Sequence, residues 1–342
     1  PAVFAPAAVF DPPADAKPFP ASYRLQARLL RDAARQRGLT VDELSADITR
    51  ISGNGVTRIF CFGMSDATLL AARRASNDKQ WTRTLLKAEG VIVPEGSAFP
   101  VAEFDKAWAF AQQIGLPVVV KPLTGSGGKG VYTDIRTEDE FRRAWEVAKA
   151  TKASTIVVEQ HFSGNDYRLF VIGNRLAAAA HRVPAYVVGD GVCTVAQLIE
   201  EKNRLRAANP YHGAKPVVLT ELMRATLARF GLDENSVIEA GRRVQLHSVA
   251  NIGSGGESLD VTDIVDPGWA EVAVAARRAV FDARHAGIDL IADDISRPPE
   301  GQRWCVIEVN TNPDFGVNHF PAGGRGRDVA GALIDNLFAG AS

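Results

Sequence analysis

Residues 118–131, VVVKPLTGSGGKGV, carry the densest chemical signal in the chain. Gly125, Gly127, Gly128 and Gly130 lack Cβ atoms, so backbone N–H groups there can converge on an anion that side chains would hold off. Phosphate is the natural guest; a glycine-rich hairpin with no ligand is the competing reading. A Walker loop needs Ser or Thr directly after its lysine, and here Gly130 follows Lys129. Gly125, Gly127 and Gly130 match G-x-G-x-x-G, but a dinucleotide loop must open a helix. Residues 131–135 alternate like a strand instead. A glycine loop between two strands is a flap that folds over a triphosphate, although the H-R-D and D-F-G companions of a kinase are missing.

A second set of groups is oxygen-rich. Glu308 and Asn310 lie two apart in the strand-like WCVIEVN, so their side chains share one face, and Asp289 falls on the expected antiparallel neighbour. Such hard oxygens beside a triphosphate suit Mg²⁺; polar strand ends facing water are the alternative. Lys79 occupies the first turn of an expected helix, against the macrodipole, either to meet an anion or as a solvated lysine. Glu159 ends the strand TIVVE, where it can accept from ribose hydroxyls or simply sit at an edge. The glycine-rich stretch 250–256, with Ser254, Gly255 and Gly256, is either a second grip on a polar group or a tight turn. No serine or cysteine has a nucleophile-elbow context and the histidines lack metal spacing, which sets covalent and zinc mechanisms aside.

The elements that must position these groups follow from periodicity. A strand over 118–121, the flap, a strand over 131–135, a helix opened by the Thr137/Glu140 capping box and a strand over 155–159 make an α+β lobe, preceded by an amphipathic helix over 101–114. Upstream, a helix starts at Ser22 and stops at Gly38. A strand then covers 58–63, a helix covers 67–75, and Asn77 caps a helix over 78–89. Downstream, a hairpin turns at Gly173-Asn174 and places Arg168 on the face opposite Tyr167 and Leu169. Helices follow over 194–206 and 221–230, and a long one runs from Pro267 to His285. The expected division is an N-terminal subdomain over 1–98, a lid lobe with the flap over 99–162, and a C-terminal lobe with metal and substrate sites over 163–342.

With 342 residues, 46% of them hydrophobic, the chain can bury a core of about two domains. A net charge of -1 recommends neither nucleic acid nor an anionic membrane as partner. No apolar run spans a bilayer, and residues 1–20 lack the pattern of a signal peptide. Three scattered cysteines argue for a reducing cytoplasm.

The ordered set SNDK at 76–79, GVIVPEG at 90–96, VVVKPLTGSGGKGV, VVEQHFSGNDYRLFVIG, NIGSGGESLDVTD, GIDLIADDIS and VIEVNTNPDF resembles an ATP-grasp carboxylate-amine ligase, nearest to the ATP-grasp region of cyanophycin synthetases. The likeness covers residue 65 to the C-terminus. It implies an α+β ATP-grasp fold whose two α/β lobes clasp ATP beside an N-terminal subdomain. Lys79 and Lys121 would contact ATP, the flap Ser126, Gly127, Gly128, Lys129 and Gly130 would close on it, and Glu159 would hold the ribose. Asp289, Glu308 and Asn310 would bind two Mg²⁺ ions, with Mn²⁺ as a substitute. Arg168, with the N–H groups of the Ser254-Gly255-Gly256 loop, would stabilise the transferring group, and Asp314 or His319 would accept the amine proton. The substrates implied are small amino acids or peptides, and homo-oligomers are compatible with the likeness. Thr311-Asn312-Pro313-Asp314 and Ser126-Gly127 depart from the cyanophycin pattern, and no Mur-ligase-like half follows. The expectation is therefore a stand-alone ligase making one amide bond.

Overall fold

A computed structural model describes residues 3–12, 22–125 and 128–339, so the flap residues Ser126 and Gly127 lie outside the described residues. The chain divides into two compact units, one formed by Pro1–Phe4, Thr68–Leu176 and Ile264–Asn312, the other by Ala5–Ala67, Ala177–Asp263 and Pro313–Ser342.

The first unit contains an antiparallel sheet in the order Gly96–Pro100, Thr155–Gln160, Val118–Pro122, Tyr132–Ile135. Strand alternation sorts its side chains. Val118, Val120, Ile156 and Val158 pack with Phe141 and Trp145 into one apolar cluster under the helices Phe104–Ile114 and Glu138–Ala150. Val119, Lys121 and Glu159 therefore belong to the other face, with Val119 opposite Glu159 in register. The second helix starts with the expected capping box between Thr137 and Glu140.

The same unit pairs Asn165–Ile172 with His285–Ala292, and His285–Ala292 with Trp304–Asn310, all antiparallel. Two sequence expectations need correction here. Asp78, not Asn77, caps the helix Lys79–Ala88, its carboxylate accepting from the Trp81 N–H at 2.9 Å. The helix that opens at Pro267 ends at Ala279, because Phe281 and Asp282 turn to positive φ and release the chain into a strand that already includes His285.

In the second unit the helices Ser22–Gln36 and Val329–Phe338 accompany a meander of Thr40–Glu43, Ile48–Gly53 and Val56–Cys61. Asn54 and Gly55 both have positive φ, the geometry of a two-residue hairpin turn. A smaller module joins the antiparallel pair Tyr186–Val188 and Arg243–Gln245 to the helices Val195–Ala207 and Glu221–Ala228 through Val187, Ile199, Met223 and Val244. No helix among the described residues is long and apolar enough to cross a membrane.

Candidate active site

Three neighbouring strands of the first unit carry a row of charges. Arg168 stands opposite Asp289, and Asp289 opposite Glu308. Directly opposed residues share a face, so alternation fixes the row once the register is set. Arg168 forks onto Asp289, Nε donating to Oδ1 at 2.6 Å and Nη2 to Oδ2 at 2.8 Å. Asp289 is buried, whereas Glu308 and Asn310 are partly open. Between Asp289 and Leu290 the register slips, leaving Ile307 as an extra residue on the facing strand. Asn310 falls opposite Gly287, which offers no side chain to crowd it. Beyond the strand, the Oδ1 of Asn312 is buried without a hydrogen-bond partner. Two carboxylates and two amide oxygens, one of them orphaned, are the donor types a hard cation takes. Among the described residues no cluster of three or more His, Cys, Asp or Glu is available to hold a metal without outside ligands.

Lys79 connects this row to the glycine flap. Its Nζ donates to the carbonyls of Leu123 and Gly125, each at 3.3 Å, at the root of the flap. Burial pushes its pKa down, and Glu308 is the strongest of the charges that oppose this. Next to it lies a buried ion triad. Glu159 accepts from Lys121 on Oε1 and from Arg83 on Oε2, the latter at 2.6 Å. Lys121, Arg83 and Glu159 are all below a tenth exposed. Burial by itself would raise the Glu159 pKa, but Lys121 and then Arg83 outweigh it, and the carboxyl is held below its ordinary value. Arg83 is fixed in turn by Gln80 Oε1 at 2.7 Å. A small open recess borders the triad, with Leu86, Val93, Pro94 and Val306 on its apolar side and Lys79, Thr82, Arg83 and Glu159 on its polar side.

The structure therefore gathers Lys79, Lys121, Glu159, Arg168, Asp289, Glu308 and Asn310 in one unit. Gly128 and Lys129 are exposed on the flap, and Gly130 turns at φ 70°. Ser254 and Gly255 belong to the other unit. The N–H groups of Ser254, Gly255 and Gly256 close the turn onto Asn251 and Ile252 carbonyls, at 3.1, 3.1 and 2.9 Å. The two proton acceptors proposed for the amine are likewise engaged. Asp314 accepts from Tyr211 Oη and the Gly316 N–H, and buried His319 accepts the Ala330 N–H on Nε2.

Arg83 was not singled out by the sequence. It stands one helical turn after Lys79, a spacing that puts both cations on one face of the helix and would have marked it.

The carbamoyl-phosphate synthase L chain ATP-binding domain model matches residues 78–166, which contain Lys79, Arg83, Lys121, the flap and Glu159. A cyanophycin synthetase of Nostoc sp. is 36% identical over 311 residues, covering 89% of this chain and 34% of that protein. A glutathione biosynthesis bifunctional protein of Mannheimia succiniciproducens is 34% identical over 268 residues, covering 76% of this chain and 35% of the relative. The chain thus spans about a third of the length of the curated relatives it matches. Among solved structures, a bifunctional glutathione synthetase from Pasteurella multocida superposes with a TM-score of 0.68 at 28% identity, over 93% of this chain and 44% of the other. The chain is therefore homologous to the ATP-grasp regions of cyanophycin synthetases and of the bifunctional glutathione proteins, and has the ATP-grasp fold.

Proposed function

We propose that the chain joins an amino-acid or peptide carboxylate to an amine, with ATP converted to ADP and phosphate through an acyl phosphate. The observation that carries this reading is the row Arg168–Asp289–Glu308, continued through Lys79 to the Lys121–Glu159–Arg83 triad. It sets cations among carboxylates, as a site must that brings one anion to another. Two unit negative charges 4 Å apart repel by about 4 kcal/mol at an effective dielectric near 20. Lys121 and Arg168 offset that repulsion and orient the reacting groups, and Arg168 holds charge on the transferring phosphoryl and then on the tetrahedral oxyanion. Lys79 exchanges its flap carbonyls for phosphate oxygens. Glu159 reaches the ribose by yielding one oxygen from its cations. The flap, residues 126–130, excludes water that would hydrolyse the acyl phosphate. Asp289, Glu308 and Asn310, with Asn312, would hold Mg²⁺ (or Mn²⁺), which neutralises phosphate charge when bound; two carboxylates suit an ion that takes its remaining ligands from phosphates and water.

On this reading residues 1–98 form the N-terminal subdomain, 99–162 the lid and 163–342 the lobe that carries metal and substrate. The partners are small acids and amines in the cytoplasm, with no nucleic acid or membrane, and self-association is set by surfaces outside the site.

The test is product analysis with Mg²⁺-ATP and pooled amino acids and peptides. Amine-dependent ADP and phosphate, with a new mass equal to two components less water, supports the ligase. AMP and pyrophosphate would overturn it. ADP with a phosphorylated product and no amide would make the chain a phosphotransferase, and ATP binding without turnover a regulatory nucleotide-binding unit.

A further inference from the structure

Every carboxylate of the charged row in the first unit already has a cation of its own. Both oxygens of Asp289 are taken by one guanidinium, Arg168 donating from Nε to Oδ1 and from Nη2 to Oδ2. The Asp289 side chain is 4% exposed and that of Arg168 16%, so the fork is largely shut away from water. Glu159 gives one oxygen to Lys121 and the other to Arg83. Glu308 is served by Lys79, whose pKa burial pushes down and Glu308, first among the neighbouring charges, holds up. With Asp78, which also acts on Lys79, the row holds four carboxylates and four cations.

A divalent cation that reaches so balanced a row finds no surplus of negative charge. At Asp289 it must also displace a bidentate fork in a largely dry place, where a guanidinium–carboxylate pair is stronger than in water. Glu308 and Asn310, the partly open donors, supply one carboxylate between them, which is little to set against an ion that dehydrates reluctantly. A triphosphate changes the count. Its oxygens compete with Asp289 for Arg168 and with the flap carbonyls for Lys79. Once the arginine leaves, Asp289 is a buried carboxylate without its cation, a costly state that capture of another cation relieves.

We propose that Arg168 holds the place of the metal on Asp289, so that the nucleotide-free chain excludes divalent cations and the site opens to them once a triphosphate has taken the arginine. This rests on the reading of Asp289, Glu308 and Asn310 as metal ligands beside ATP. The test reads binding, not turnover, with the full chain and Mn²⁺ as the probe. By electron paramagnetic resonance of free Mn²⁺, the nucleotide-free parent should show no saturable site at millimolar Mn²⁺. Arg168→Gln, which has no charged fork, should bind Mn²⁺ without nucleotide at least about tenfold more tightly than the parent. The double variant Arg168→Gln/Asp289→Asn should lose that gain, which separates an uncovered Asp289 from a loosened fold. In EDTA, ATP should still bind the parent by calorimetry. With Mn²⁺ added, water-proton relaxation should then change beyond that of Mn²⁺-ATP alone. Three results overturn the place-holding role and leave the ligase reading standing: Mn²⁺ on the nucleotide-free parent as tight as with ATP, Arg168→Gln as inert to Mn²⁺ as the parent, or ATP that binds only when metal is present. ATP binding with no Mn²⁺ response in any of the proteins overturns the metal assignment and the proposal together.

Discussion

Arg168 grips Asp289 through two parallel hydrogen bonds, so the arginine assigned to the transferring group and a carboxylate assigned to the metal hold each other across adjacent strands. A guanidinium fork matched to a carboxylate is not reproduced by an ammonium. Arg168→Lys is expected to lower kcat by about 10²-fold, the scale of losing one aimed donor to developing charge. It should also release part of Asp289 and lower the Mg²⁺ concentration needed for half-maximal rate. A variant with unchanged kcat, or with a raised Mg²⁺ requirement, would contradict the shared role.

Arg83 and Lys121 each take one oxygen of Glu159, so removing Arg83 leaves a buried carboxylate oxygen unmatched. Arg83→Met should cost about 1–3 kcal/mol of stability, read in denaturant unfolding, and raise the KM for ATP as Lys121 is drawn more tightly onto Glu159. Arg83→Lys keeps the charge but not the Gln80 contact, so it should fall between the two proteins. An Arg83→Met protein with native stability and native KM would show the triad to be incidental.

Much of the first unit was legible because its signals are local. Three β-branched residues before Lys121, the Thr137/Glu140 capping box and the two-residue step from Glu308 to Asn310 each declare a strand or helix and the face its side chains take. What stayed hidden depends on pairing between distant segments. Arg83 acquires meaning only when its helix meets Glu159, 76 positions later, and the fork exists only because the register sets Arg168 against Asp289, 121 positions away. The strands Thr40–Glu43 and Ile48–Gly53 were passed over although Asn54-Gly55 is a strong turn signal. The second glycine loop was given donor N–H groups by the resemblance alone, and neither likeness nor composition reports which carbonyl each N–H has found.

Gly130 ends the flap at φ 70°, and a Cβ there would lie 2.9 Å from Thr151 Cγ2 and 3.1 Å from Pro122 Cγ. Gly130→Ala thus meets both a left-handed backbone and a wall, and should cost about 1–2 kcal/mol or more. Gly125, at φ 132° with no atom near a would-be Cβ, meets only the backbone restriction. Gly125→Ala should mainly raise the KM for ATP by stiffening the flap root that Lys79 holds. Equal loss of stability in the two variants would remove this distinction.

Acid should destabilise the protein well above the carboxylate range. Burial pushes His285 down to about 4 and His319 to about 3, while His212 reaches about 3 through burial, then Arg206 and Lys215. These rings stay neutral in the fold but bind protons in the unfolded chain below about pH 6.5. The unfolded state therefore holds more protons, and stability falls as pH drops from about 6.5 towards the folded values, by roughly 1.4 kcal/mol per pH unit for each ring. Glu159, held below its ordinary pKa, adds a separate loss only below about pH 4.5. His285 stacks on Phe170, centroids 6.2 Å apart and planes 9° from parallel, with neither ring nitrogen hydrogen-bonded. His285→Phe preserves that stack without a titrating group, so its stability should decline less steeply between pH 6.5 and 5 than that of the parent. Parallel slopes for the two proteins would show that His285 does not set the acid limit.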